Sequence, residues 1–463
     1  MDMERLALDN LVKWNASKRR TPLLIYGARQ VGKSFLVEDL FAKKYYKDNY
    51  IYIDFKKENE IRNYILAGEN ESSSIVDAKK IVNYLELRFN RRIDENTLLI
   101  FDEVQECLPI ITSLKYFKQD LPNIPVIATG SMVRIRIKRQ QNIDKQHKND
   151  GFFFPVGGIT RLFVYPLSFD EFLLNHNKML YEKIVDSYNK KEPLEDYIHD
   201  MAMDALYSFL LVGGMPEATN IFIEEKDILS SREKLTNIFS DYLSDMELYQ
   251  ASEESIIRSK AIFESIYSQL EKESKNFKGS FVEKGLRNRD IRSPKDYLTL
   301  ANIVYESKQI KEHVSFPLKE ENENDYRLYL LDNGLFCLQS KINMSTFIDK
   351  EARNTLSGVL FENYIATEFV SKGIPLFYWK GKSSSEFEFM VSCNNEIYPV
   401  DAKKGKGTLG SLKKYKESNK CNLAIKISSN KYGYDKENKI LTIPLYQVFM
   451  LANEIKNETF KLD

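Results

Sequence analysis

Eight residues near the start, Gly27-Ala28-Arg29-Gln30-Val31-Gly32-Lys33-Ser34, restrict what this chain can fold into more than any other stretch. The apolar run Leu23-Leu24-Ile25-Tyr26 precedes them, and Leu36, Val37, Leu40 and Phe41 follow at helical spacing. A buried strand, a glycine turn and an amphipathic helix in that order make a cradle for a polyphosphate. The glycines let the backbone wrap the anion, and the helix aims its first amides at it. The expected ligand is a nucleoside triphosphate, ATP or GTP. Lys33 is placed to reach its terminal phosphates, and the Ser34 hydroxyl to ligate the accompanying Mg2+.

A second pattern supports the first. Thr97-Leu98-Leu99-Ile100-Phe101 reads as a buried parallel strand ending in Asp102-Glu103. This is a Walker B pattern, with Asp102 holding the metal and Glu103 handling the attacking water. A third strand, Val126 to Thr129, ends in Gly130-Ser131. Ser131 is either a sensor hydroxyl near the terminal phosphate or a helix cap. Strand-like runs at Tyr50 to Phe55, Thr97 to Phe101, Val126 to Thr129 and Leu162 to Tyr165 alternate with helical stretches, which predicts an α/β fold with a parallel sheet.

The chain has 463 residues, enough for about three domains. Its 67 basic and 67 acidic residues leave a net charge of +0, so no global field recruits DNA, RNA or an anionic membrane. Local patches must do so instead. Cys107, Cys337, Cys393 and Cys421 form no Cys-x-x-Cys pair, which argues against a zinc site or a disulfide framework. The four histidines, His147, His176, His199 and His313, stand in no catalytic pattern. No basic and apolar leader opens the sequence and no apolar run approaches about 20 residues, so a cytoplasmic chain without a membrane partner is expected. Between Ser131 and Gly157 the basic run Arg134 to Arg139, with Lys145 and Lys148, reads as a solvated loop or a contact for nucleic acid or a partner.

From Pro166 to about residue 255 the pattern turns helical, broken at Gly213-Gly214-Met215-Pro216, where the proline is suited to start the next helix. The stretch to about residue 345 combines short helices with Arg327 to Leu331 as a strand, followed by a turn. Its Arg287, Arg289 and Arg292 suit either phosphate or solvent.

The chain resembles prokaryotic AAA-type ATPases that carry a C-terminal domain of unknown function with a restriction-nuclease-like core. The likeness rests on the glycine loop, on Phe101-Asp102-Glu103-Val104-Gln105 and on Thr129-Gly130-Ser131. It extends to Tyr165-Pro166-Leu167-Ser168-Phe169-Asp170-Glu171-Phe172 and to Gly213-Gly214-Met215-Pro216-Glu217-Ala218. It implies an ATPase core over 1–165, a helical lid over 166–255, a winged helix over 256–345 and a nuclease-like domain over 346–463. It also implies that Arg161, just before the Leu162 strand, acts on the phosphates across a subunit boundary in a homo-oligomer. Pairing with a surface acid is the other reading of Arg161.

The C-terminal part resembles the PD-(D/E)XK nuclease constellation. Leu356 to Phe369 reads as a helix carrying Glu362, and Glu386 to Val391 as a strand with Glu386 and Glu388 on one face. Asn394-Asn395 turns the chain, and the return strand carries Asp401 and Lys403. Glu388 stands where aspartate is commoner and Asp401 where glutamate is, and a hairpin with charged outer faces accounts for the same residues. Lysines 403, 404, 406, 413, 414 and 416 make the next helix basic. The combined expectation is an ATP- and Mg2+-using AAA-type switch with a module facing DNA or another nucleic acid, or a protein. The alternatives are a nucleotide-stabilised scaffold and an ATP-gated, magnesium-dependent nuclease.

Overall fold

The computed structural model describes residues 3–67, 76–138, 157–250, 252–356, 358–381, 385–402 and 408–461. These divide into a unit within residues 2–165 and one within 166–463.

The first unit is built on five strands: β1 (Leu23–Tyr26), β2 (Tyr50–Asp54), β3 (Leu98–Asp102), β4 (Val126–Gly130) and β5 (Thr160–Phe163). They lie in the order β2-β3-β4-β1-β5, and every pairing is parallel. All residues of β1, β3 and β4 are buried. Both faces of the sheet are therefore covered, the condition that parallel strands require. Leu24, Tyr26, Leu99, Phe101 and Ala128 share one core with Ile61, Ile81, Leu85, Ile110 and Leu114. Those partners come from the helices Asn59–Ala67, Ala78–Phe89 and Leu108–Asp120. Phe101 sits 6.0 Å, ring to ring, from both Phe55 and Phe117. Truncating such a fully buried ring costs about 3–5 kcal/mol, and here it would also loosen the strand tip that carries Asp102.

Three boundaries differ from the sequence reading. The strand expected to end at Phe101 runs on to Asp102. The strand expected from Leu162 spans Thr160–Phe163, so Arg161 lies inside it rather than before it. Residues 133–138 are helical rather than a solvated loop, with Val133, Ile135 and Ile137 buried; Arg139, Lys145 and Lys148 lie outside the described residues.

The second unit opens with the helices Phe169–His176, Lys178–Lys190, Asp196–Val212, Pro216–Glu225 and Ile228–Tyr249. Pro216 starts its helix, where a missing N–H is harmless. The two motifs at Leu167 and Gly214 meet. Leu167 N donates to Gly214 O at 2.6 Å, and Gly214 N donates to the buried Asp332 at 2.6 Å. A Cβ on Gly213, whose φ is +67°, would collide with that carboxylate. These motif residues therefore brace a buried junction.

A four-stranded sheet of order β7-β6-β8-β9 joins β6 (Val304–Ile310) and β7 (Tyr326–Leu330) to β8 (Phe377–Lys380) and β9 (Glu386–Phe387). Strands thus enter one sheet from both sides of residue 346. After β7 comes not a turn but the helix Asn333–Ser340, capped by Asp332. The remaining sheet, of order β10-β11-β12-β14-β13, comprises β10 (Phe389–Cys393), β11 (Glu396–Ala402), β12 (Ala424–Ser428), β13 (Gly433–Asp435) and β14 (Ile440–Pro444). Asn394 and Asn395, at φ 52° and 63°, make the turn between β10 and β11. The stretch read as one strand from Glu386 is broken at Glu388, where the chain leaves one sheet for the other.

Candidate nucleotide site

The glycine loop leaves β1 at the carboxyl end of the parallel sheet, where open α/β sheets bind ligands. Its shape is fixed by close packing. A Cβ on Gly27 would collide with Val164 O, and Gly32 takes φ +82°. Gln30 is left-handed as well, at φ 64°, an uncommon state for a residue with a side chain. Arg5, 6% exposed, ties the loop down by donating to Val31 O at 3.1 Å and to Tyr165 O at 2.8 Å.

Lys33 and Ser34 begin the helix that follows, Lys33–Tyr45, which widens over Leu36–Ala42 to a π-helical turn. The Lys33 ammonium lies along the loop, 2.7 Å from Ala28 O and 3.2 Å from Gly27 O. Burial pushes its pKa down to about 8. Glu103 and Asp102 offset part of that, while Lys56 and Arg29 add to it.

Asp102 is the hub of the site. It is 3% exposed and accepts from Ser34 Oγ at 2.6 Å and from its neighbour's amide, Glu103 N, at 2.8 Å. It also accepts from the Tyr52 and Thr129 hydroxyls. Because β4 lies between β1 and β3, Thr129 reaches Asp102 from the strand next to it. Glu103 takes φ 54°, and its carboxylate is held by Gln105 Nε2 and by Lys56 Nζ at 3.3 Å. A Cβ on Gly130 would collide with the Gln105 amide, so that glycine makes room for the side chain that aims Glu103.

The sequence reading gathered Lys33, Ser34, Asp102 and Glu103, and the structure brings these four together. Ser131, 7% exposed, follows β4, and the preceding Thr129 places its hydroxyl on Asp102. Arg161 is exposed on the edge strand β5, paired in register with Leu24. Arg5, Tyr52, Lys56 and Gln105 were missed. Their only signal was position, since each depends on which strand or loop lies beside which. The donor set suits magnesium and a triphosphate: a hydroxyl and a carboxylate meet next to a glycine loop held in shape and a buried ammonium.

The four C-terminal candidates fare differently. Glu362, on the helix Gly358–Ser371, and Glu388 are both 2% exposed in their side chains, and Asp401, on β11, is buried. Glu388 Oε2 accepts from Ala402 N at 3.2 Å. Lys403 lies outside the described residues. Glu362 and Glu388 both bind Lys275, and Glu362 also binds Arg327. Among the described residues no group of three or more His, Cys, Asp or Glu is arranged to hold a metal ion. The nuclease resemblance implies one there, where the Lys275 ammonium stands between Glu362 and Glu388.

No helix among the described residues is long and apolar enough to cross a membrane. Residues 203–346 match a domain of unknown function (DUF8612), and residues 357–446 match another (DUF4143). Two similar solved structures are a Walker-type ATPase of Pyrococcus abyssi and the Drosophila ORC bound to DNA. The first shares 16% identity over 73% of this chain and 96% of that one, at a TM-score of 0.42. The second shares 14% over 69% and 89%, at 0.24. No curated protein matches the chain. Residues 19–173 match the family described as AAA domain, and with the glycine loop, the acid-tipped strand and the five-stranded parallel sheet they form a P-loop domain of the AAA type, a class that binds ATP.

Proposed function

We propose that the chain binds ATP with magnesium and hydrolyses it, and that it serves as a nucleotide-driven switch whose second unit meets nucleic acid. The observation that carries the ATPase reading is the bond from Ser34 Oγ to Asp102, 2.6 Å long, beside the buried Lys33. Ser34 and Asp102 are the residues that would hold magnesium, which when bound supplies charge neutralisation for the phosphates. The amides of Gly27 to Ser34 wrap the phosphate chain, and Lys33 adds a buried positive charge to its terminal end. Glu103, held by Gln105 and Lys56, orients the attacking water and takes its proton. Arg161, exposed on the edge strand β5, is assigned here to act on the phosphates of a neighbouring copy.

The nucleic-acid reading is favoured by a groove of about 570 Å³ in the second unit, lined by Lys278, Arg287, Arg289 and Lys380 with Asp325 as its one acid. Four cations against one carboxylate suit a phosphodiester backbone.

Phosphate release from Mg-ATP, measured with and without single-stranded and duplex DNA as salt is raised, tests this reading. Turnover that requires magnesium is expected, together with DNA binding that weakens steeply with salt. Absence of turnover under every condition removes the ATPase, and absence of DNA binding removes nucleic acid as the partner.

A further inference from the structure

Three carboxylates from three places in the chain converge on one ammonium. Lys275 Nζ is 2.6 Å from Glu362 Oε2, 3.3 Å from Glu388 Oε1 and 3.7 Å from Glu386 Oε1. Glu362 comes from a helix, Glu386 from β9, and Glu388 from the bend between β9 and β10. Arg327, on β7 and buried, closes the other side. It lies 3.3 Å from Glu362 Oε1 and 2.7 Å from Glu386 Oε2, with its guanidinium 4.2 Å over the Tyr378 ring. The Tyr329 hydroxyl donates to Glu362 Oε1 at 2.7 Å. Both oxygens of Glu362 are thus engaged.

A magnesium ion draws its oxygens to about 2.0–2.1 Å in an octahedron. The ammonium stands in the space that such an ion would need between Glu362 and Glu388, and repels it by charge. Lys275 is also held in place by the two residues that follow it. The next residue, Asn276, bonds through its side chain to Gln309, Asp325 and Tyr378, and Phe277 N donates to Tyr326 O at 2.8 Å. Burial alone favours the neutral amine, but Glu362 and then Glu388 outweigh it, so the pKa is raised and the group stays charged.

We propose that Lys275 is the resident cation of this acid cluster, standing where the nuclease resemblance implies a divalent metal, and that it fastens the loop after the helix Glu253–Leu270 to the C-terminal acids. Lys275 and Arg327 fall within the segment 203–346, and the acids within 357–446. The cluster is therefore an ion-paired latch between two matched domains instead of a metal centre. It stands apart from the ATPase reading, because none of its residues belongs to the phosphate loop.

The test is Mn2+ binding to the nucleotide-free full chain, read as the loss of the free-ion signal in electron paramagnetic resonance. Wild type and Glu362→Gln should titrate alike, since no ion at the cluster depends on Glu362. Lys275→Met should gain about one Mn2+ per chain, and the double variant Lys275→Met with Glu362→Gln should lose it again. An equivalent of Mn2+ present in wild type and lost in Glu362→Gln overturns the proposal, and so does a folded Lys275→Met that gains none. If Lys275→Met does not fold, the first comparison decides by itself, and Glu388→Gln replaces Glu362→Gln where that variant does not fold.

Discussion

The Ser34 hydroxyl donates to Asp102 across 2.6 Å, a bond from the helix that follows β1 and its glycine loop to the end of β3, with β4 lying between the two strands. The intervening strand supplies the Thr129 hydroxyl, and β2 supplies Tyr52, so one carboxylate gathers donors from the loop and from the strands on either side. A buried carboxylate held this way has little freedom to turn, and a metal ligand gains from that.

Removing one of those donors should therefore be felt at the nucleotide. A hydrogen bond to a charged group is worth about 1.5–3 kcal/mol. Tyr52→Phe and Thr129→Val are each expected to lower kcat/KM for Mg-ATP by about tenfold or more. Steady-state kinetics checks this, and an unchanged kcat/KM in both variants contradicts the role given to Asp102.

The depressed pKa of Lys33, about 8, makes nucleotide affinity depend on pH. Phosphate favours the ammonium, so the pKa must rise on binding, and above pH 8 the free protein takes up a proton as it binds. Affinity then falls as pH rises, by up to about tenfold per unit. Titration calorimetry from pH 7 to 9.5 should show a dissociation constant that begins to climb near pH 8. A constant value to pH 9.5 contradicts the depressed pKa of Lys33.

Arg161 is exposed on the edge strand β5. If it serves a neighbouring copy, Arg161→Ala should lower turnover by about 10³-fold or more and leave ATP affinity unchanged. Mixing it with Lys33→Ala should restore part of the activity, because a mixed pair holds one complete site. Failure of every mixture, with an active enzyme that is monomeric by light scattering, rules out an arginine acting between chains.

Arg327 and Glu362 are buried and Glu386 is partly so, and breaking these pairs leaves both acids short of a partner. Arg327→Met is expected to cost about 3–5 kcal/mol of unfolding free energy. Urea denaturation followed by Trp379 fluorescence in a Trp14→Phe background reads it out. A loss under about 1 kcal/mol, the level of a solvated pair, shows that the cluster contributes little.

The parts of the site legible in the sequence are those set by local geometry. A loop that wraps phosphate needs Gly27 and Gly32 at fixed spacing, and a strand that ends in acids shows as an apolar run stopping at Asp102. Spatial neighbours left no such mark. Thr129 and Tyr52 reach Asp102 only because of the strand order, Gln105 has room only because Gly130 lacks a side chain, and Arg5 acts on a loop that is distant in sequence. The C-terminal acids could each be picked out, but Lys275, 87 residues before Glu362, could not. With it unseen, Glu362, Glu388 and Asp401 read as metal ligands. The break at Glu388 was hidden for a related reason, since a strand crossing from one sheet to another keeps the same alternation of side chains.

ATP binding and turnover, measured side by side for wild type, Lys33→Ala and Glu103→Gln, test the central claim most directly. Glu103→Gln keeps the shape of the site and removes the carboxylate that handles water, so turnover should fall by about 10²–10⁴-fold while ATP affinity stays close to that of wild type. Lys33→Ala should lose both. If Lys33→Ala binds ATP as tightly as wild type, or Glu103→Gln turns over at the wild-type rate, the site described at Gly27 to Ser34 and Asp102-Glu103 is not the one that hydrolyses ATP.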